Sequence, residues 1–355
     1  MYNNTTMLEV KKLGSILEPT KLEFENLAVL NPGVYQDDEN VHVFYRAINK
    51  NHESCIGYAK LKGPTEVVER WAKPIIEREL DHESKGVEDP RIVKIEDTFY
   101  MTYVAHDGKN AVTAYATSTD LKHFEKRGVI TPRISYHEIK EIFNESQLKD
   151  TYRLFSSFYE EEAGRDVFLW EKDVVLFPEK IKGRYALLHR TLPDIQITYF
   201  NDFTDLASRD FWTDHFKNLA VYVVLENKHW FETRHIGGGA PPVKTKDGWI
   251  LIFHAVEATN FGRVYHASAA LLDYDNPQLV TGRLHEPLFS PTEEWEKSGF
   301  VSNVVFPTGT AVFDDKLYIY YGAADTHVAV AEVNISELIN ELKKSSPHHA
   351  TFGGH

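Results

Sequence analysis

Residues 85–108 read KGVEDPRIVKIEDTFYMTYVAHDG, with two carboxylates, Glu88 and Asp89, directly before a proline and Arg91. Such a group is either a turn held by an ion pair or an acid catalyst under electrostatic tuning. A carboxyl that keeps its proton can protonate a leaving group. Burial and a neighbouring carboxylate raise proton affinity, while a facing guanidinium lowers it. Residues i and i+2 of a strand share a face, but Pro90 leaves open whether Asp89 and Arg91 do so. Other polar residues end strand-like runs elsewhere in the chain: Arg46, His106, His189 with Arg190, His254 with Glu257, and Asp325. A ring of arginine, histidine and carboxylate side chains is costly to bury without a ligand.

Those runs repeat one plan. PGVYQDDENVHVFYRA (32–47), PRIVKIEDTFYMTYVA (90–105), FPEKIKGRYALLHR (177–190), PPVKTKDGWILIFHA (241–255) and PTGTAVFDDKLYIYYGA (307–323) each place a proline before an extended segment, a polar turn and an aromatic or β-branched strand. A further strand candidate follows each, at 54–61, 111–118, 194–200, 263–272 and 327–333. Alternation and turn residues argue for antiparallel hairpins. Five such units predict an all-β, five-bladed β-propeller, one domain over 1–355, in which radial repetition protects sheet edges. The simpler alternative is a β-sandwich. An insertion at about 133–166 carries Ile139, Ile142 and Phe143 at helical spacing and reads as a lid or a contact of a homodimer. A short C-terminal helix is expected at about 335–344, with a loose tail after it.

The bulk numbers narrow the function classes. A net charge of −14 and the lack of a basic arm argue against nucleic acid. One cysteine, Cys55, rules out an internal disulfide framework. No apolar run has the length of a membrane span, and the polar N-terminus predicts a cytoplasmic chain, with export open if a leader was removed. The 17 histidines show no metal-ligand spacing, so no metal and no cofactor are expected. The GGG at 237–239 lacks the lysine and helix of a phosphate loop and reads as a place of close backbone approach.

Four stretches in order, GVEDPRIVKI, VVLFPEKIKGRYALLHR, HIGGGAPPVKTKDGWILIFHAVE and SNVVFPTGTAVF with LYIYYGAADTHVAVA, resemble glycoside hydrolase family 130, the β-mannoside phosphorylases and β-1,2-mannosidases. The resemblance runs over roughly 25–335 and implies a five-bladed propeller. It also implies inverting chemistry on β-linked manno-oligosaccharides with Asp89 as general acid, in some members through a sugar hydroxyl. It further implies sugar contacts from Asn31, Arg46, Arg91, His189, Arg190, Phe306 and Asp325; His254, at a strand end, and His235, before the glycine run, are read as substrate contacts beside them. Tyr45, Tyr103, Trp249, Phe253 and Tyr321 could offer stacking faces, but core packing is the simpler reading for strand-interior aromatics.

The family divides between water and phosphate as nucleophile. Its phosphorylases carry an Arg-Asn pair before the VLFP motif and a lysine before the glycine run. Lys172-Asp173 and His235 stand in those places here. A carboxylate repels a phosphate dianion, whereas an inverting hydrolase needs a carboxylate base ~6.5–9.5 Å from the acid. The sequence therefore reads as an exo-acting β-1,2-mannosidase, with Glu257 as first choice of base and Glu232 and Glu226 behind it. An ion pair between Glu232 and Arg234 is the competing role for that glutamate. Lys172, Lys180, Arg190 and His235 could still hold inorganic phosphate as co-substrate. The alternative is thus a β-1,2-mannobiose or related phosphorylase, and the third reading is a non-catalytic sugar-binding protein.

Overall fold

The computed structural model describes residues 8–344. The fold is mostly β, in antiparallel runs of four strands. The first run is Ala28–Asp37, Asn40–Ile48, Ser54–Lys62 and Glu66–Arg70, and the second is Gly86–Ile95, Thr98–His106, Ala111–Ser118 and Glu125–Val129. One parallel pair, Ser54 with Gly86, joins the two. The third run is Lys172–Leu176, Tyr185–Arg190, Ile195–Phe200 and Val223–Leu225. The fourth is His235–Gly238, Gly248–Thr259, Gly262–Leu272 and Val280–Arg283, with Val243–Thr245 as a side pair. The fifth joins both ends of the chain: Val305–Phe313, Lys316–Ala323 and His327–Asn334 are completed by Val10–Leu17.

The second-to-third-strand hairpins fall where alternation places them. The prolines do not. Pro32, Pro90 and Pro307 lie inside first strands, at shifts of register, rather than ahead of them. A residue without an N–H is tolerated there because the ladder is already interrupted. First strands of different runs press together at these points. A Cβ on Gly33 would stand 2.7 Å from the Pro90 oxygen, and one on Gly239 would stand 2.8 Å from the Pro307 oxygen.

The insertion folds as the helices Tyr136–Asn144 and Asp150–Ala163. Ser135 caps the first in a box with Glu138, and Ile139 and Phe143 turn inward. The helix Ile335–Lys344 buries Leu338, Ile339 and Leu342; the tail expected beyond it lies outside the described residues. Helices at Phe203–Leu206 and Arg209–Lys217 were not expected from the sequence. Tyr45, Tyr103, Trp249, Phe253 and Tyr321 are all at most 1% exposed and belong to the core.

A fully buried glutamate sits ahead of each run: Glu25, Glu83, Glu171, Glu232 and Glu296 are all 0% exposed. Three accept from a tyrosine of their run's second strand: Glu25 from Tyr45 at 2.6 Å, Glu83 from Tyr103 at 2.8 Å and Glu296 from Tyr321 at 2.7 Å. Each also meets a cation, respectively Arg70 at 2.9 Å, Lys126 at 2.5 Å and Lys12 at 2.5 Å. Glu232 pairs with Arg283 at 2.5 Å, and Glu171 with His189 at 2.9 Å. Removing a buried anchor strands its partners at a cost of about 3–5 kcal/mol. Glu296→Ala should therefore lower Tm clearly, because Lys12 of the N-terminal strand and Tyr321 both lose their acceptor. A thermal melt unchanged from the parent would refute the anchoring role.

Candidate active site

The polar strand ends meet where the first strands crowd together. Asn31, Asp89 and Asp173 occupy the register shifts of three first strands with φ of 47°, 50° and 58°, and Asp325 in the fifth run's hairpin has φ 51°. Asn and Asp are the non-glycine residues that tolerate this left-handed region best, and strain of this kind gathers at functional sites. The bulges turn these side chains toward one another. Asn31 Nδ2 donates to Asp89 Oδ1 at 2.9 Å. Arg46 bonds Glu88 Oε1 at 2.7 Å and stands 3.6 Å from Asp89 Oδ1. Its Nε donates to Ser54 at 3.0 Å.

A second cluster adjoins the first through Arg91. That side chain is 3% exposed; its Nε donates to the Gly239 carbonyl at 2.6 Å and NH1 to the Asp89 carbonyl at 2.8 Å. Its far nitrogen is 3.8 Å from Asp173. Asp173 also holds Arg190 at 2.6 Å and stands 3.8 Å from His254. A Cβ on Gly237 would meet both the His254 ring and Asp173, so the glycine run admits side chains of the site rather than only a ligand. Phe306 lies against His254, ring centres 4.4 Å apart, and 5.9 Å from the Arg91 guanidinium. Buried polar atoms without a hydrogen-bond partner concentrate here: Asn31 Oδ1, Arg91 NH2, Asp173 Oδ2, Arg190 Nε, His235 Nδ1 and both ring nitrogens of His254. Native proteins seldom leave such atoms unpaired, so the cluster has bonding capacity left over for water or a ligand.

Electrostatics separates the members. Burial would raise Glu88, but Arg46, Lys172 and His106 outweigh it and keep its pKa low. Burial would likewise raise Asp173, and Arg190, His254 and Arg91 overcome it. Burial drives His254 down to about 3 despite Asp173, with Arg190 and Arg91 adding to the effect. His235 is held well below its usual range by burial, with the charges of Arg190, Arg234 and Arg263 adding to the effect. Asp325 is pushed up to about 6, chiefly by burial, with Arg46 opposing and Asp89 and Glu88 adding to the rise.

Several expected site residues lie elsewhere. Glu232 is the anchor of Arg283 and also accepts from the N–H groups of Lys228 and His229; its partner is not Arg234. Glu226 pairs with Lys149 at the surface. Glu257 faces His266 at 3.3 Å, on the opposite side of its strand from His254 three residues earlier. His189 is fully buried between Glu171 and His215, 2.9 and 2.8 Å away, and serves as an anchor rather than a sugar ligand. Lys180 pairs with Glu96 over the Tyr185 ring. Lys172 stands by the Trp170 ring, its charge reaching Glu88 and Asp173. The sequence did not single out Trp170, nor Phe155 and Tyr159 of the insertion, which with Arg190 line a cleft beside the cluster.

The family model described as beta-1,4-mannooligosaccharide phosphorylase matches residues 15–344. The chain belongs to glycoside hydrolase family 130. Among its relatives, a 1,2-beta-oligomannan phosphorylase of Thermoanaerobacter sp. (strain X514) is 33% identical over 94% of this chain and 99% of its own. A beta-1,2-mannobiose phosphorylase of the same strain is 34% identical over 90% and 94%. The fold matches the beta-1,2-mannobiose phosphorylase of Listeria innocua in complex with beta-1,2-mannobiose, with a TM-score of 0.70 at 22% identity, over 95% of this chain and 99% of that one. These family 130 relatives overturn the expected hydrolase. The placement of Glu257, Glu232 and Glu226 supplies the physical reason, since each is occupied by a partner outside the Asp89 cluster.

The Asp325 shift gives a signed expectation. The folded state binds this proton more tightly than the unfolded chain, so the stabilisation is present at acid pH and is lost as pH rises from about 4 towards about 6. Asp325→Asn should raise Tm at pH 7.5 relative to the parent, with the gap closing near pH 4. Melts at both values decide it: a gap that is absent at pH 7.5, or that persists at pH 4, refutes the linkage.

Proposed function

We propose that this protein is an inverting β-mannoside phosphorylase that cleaves β-1,2-linked manno-oligosaccharides with inorganic phosphate. We also read its five strand runs, closed by the pairing of Val10–Leu17 with His327–Asn334, as a five-bladed propeller with the site at its hub. The observation that carries the enzymatic reading is the division of the cluster. Asp89 is held by Asn31 and approached by Arg46 on one side, while buried, partly unpartnered Arg91, Arg190, His235 and His254 stand on the other. The relatives named above as phosphorylases support the same choice.

In this mechanism the terminal mannosyl unit lies between the two groups. Asn31 fixes one Asp89 oxygen and leaves the other to carry the proton. That proton passes to the glycosidic oxygen, directly or through a sugar hydroxyl, as the bond to the anomeric carbon breaks. A phosphate oxygen attacks the same carbon from the opposite face and forms α-mannose 1-phosphate. The shortened saccharide leaves with the proton, and Asp89 regains one from solvent. Arginine forks suit both the sugar hydroxyls and a phosphate dianion, and the neutral state of His254 and His235 lets each act as donor or acceptor. Phe306 offers an apolar face to the sugar ring.

Purified protein with β-1,2-mannobiose should release mannose 1-phosphate only when phosphate is present. Turnover without phosphate, or no turnover in either condition, would end the proposal. Asp89→Asn should lower kcat by about 10²- to 10⁴-fold with an unchanged circular dichroism spectrum; a variant as active as the parent removes Asp89 from the acid role.

A further inference from the structure

Resting on the phosphorylase reading, we propose that Arg234, backed by the helical insertion, binds the attacking phosphate together with Arg190 and His235. Arg234 immediately precedes the strand His235–Gly238, and its N–H donates to the Val256 carbonyl at 2.9 Å, which fixes the backbone beside His235. Among the described residues its guanidinium has no carboxylate partner. Its Nε is buried and makes no hydrogen bond. What it does touch comes from the helix Asp150–Ala163: the Phe155 ring 5.9 Å away and the Tyr159 hydroxyl at 3.5 Å. A guanidinium held against aromatic rings without a counter-ion is unfavourable until an anion arrives.

Its neighbours share the condition. Arg190 Nε and His235 Nδ1 are also buried without partners. Arg190 lines one cleft with Phe155 and Tyr159, the same two residues that Arg234 meets. Burial keeps His235 neutral, and Arg190, Arg234 and Arg263 all add to the effect. The carboxylate present, Asp173, is engaged by Arg190, with Arg91 and His254 nearby. A sugar would need acceptors as well as donors. This corner is rich in donors and positive charge, which suits the tetrahedral oxygens of phosphate. Arg234 thereby offsets the charge that Asp173 removes from Arg190, and the insertion gains a chemical role as the backing of that arginine.

The test is phosphorolysis of β-1,2-mannobiose with phosphate and disaccharide varied separately. Arg234→Gln should raise the KM for phosphate at least tenfold and leave the KM for disaccharide within twofold. In the reverse direction the KM for mannose 1-phosphate should rise and that for acceptor mannose should not. Arg234→Lys keeps the charge without the fork, so its phosphate KM should fall between parent and glutamine variant. In a binding readout free of turnover, inorganic phosphate should raise the Tm of the parent and not that of Arg234→Gln. A phosphate KM unchanged in Arg234→Gln, or in Arg234→Lys should the glutamine variant not fold, overturns the assignment. If the parent itself shows no phosphate dependence, the phosphorylase reading fails; if the parent is phosphate-dependent and the variants match it, Arg234 alone is wrong.

Discussion

Each strand run is tied at its base by a carboxylate taken entirely out of water. Such a charge is tolerated only when paired and hydrogen-bonded, so Glu25, Glu83, Glu171, Glu232 and Glu296 dictate what surrounds them. In four of the five runs a second-strand residue answers the glutamate: Tyr45, Tyr103, His189 or Tyr321. The residue after two of these is Arg46 or Arg190, and successive strand residues point to opposite faces. Holding Tyr45 or His189 against its glutamate therefore aims the following arginine toward Asp89 or Asp173. In the fourth run Phe253 replaces the hydroxyl, Arg283 lies over its ring at 5.3 Å while pairing with Glu232, and the next residue is His254.

The first strands supply the other half of the geometry. Their bulges place Asn31, Asp89 and Asp173 in left-handed backbone, a conformation that costs ~1–3 kcal/mol at a non-glycine residue. Two demands coincide at these positions. The backbone favours Asn or Asp, and the hydrogen bonds and ion pairs of the cluster use an amide donor and carboxylates. Close approach of neighbouring first strands at Gly33 and Gly239 then leaves little slack, which is how the Asp89 carboxylate is kept within hydrogen-bond reach of Asn31.

Local features were legible in the sequence and pairings across the chain were not. Alternation located the hairpins, helical spacing found the helix around Ile139 and Phe143, and the EDPR stretch singled out Asp89. The buried glutamates escaped notice although Glu25 and Glu83 each stand twenty residues before their tyrosine, because nothing local distinguishes a buried Glu from a solvated one. His189 was misread for the same reason: its partner is Glu171, and its second contact, His215, lies on a helix that the pattern did not reveal. The strand Val10–Leu17 finds its mate more than 300 residues away, beyond any periodicity. Glu232 was considered for ion pairing, but with its chain neighbour Arg234 instead of Arg283.

The nucleophile turns on the same distinction between having a carboxylate and having a free one. Asp173 reads in sequence as a negative charge hostile to phosphate. In the fold Arg190 forms an ion pair with it and Arg91 and His254 stand close by, so its charge is offset. Activating water requires an acceptor across the sugar from the acid. Glu88 is bound to Arg46, and Asp325 acts on the same arginine on the side of Asp89. The opposite side is lined by arginines and neutral histidines with unsatisfied donors. Asp173 is the carboxylate among them, and Arg190, Arg91 and His254 surround it with positive charge and donors, so the proposed phosphorylase reading assigns this side to a nucleophile that brings its own charge.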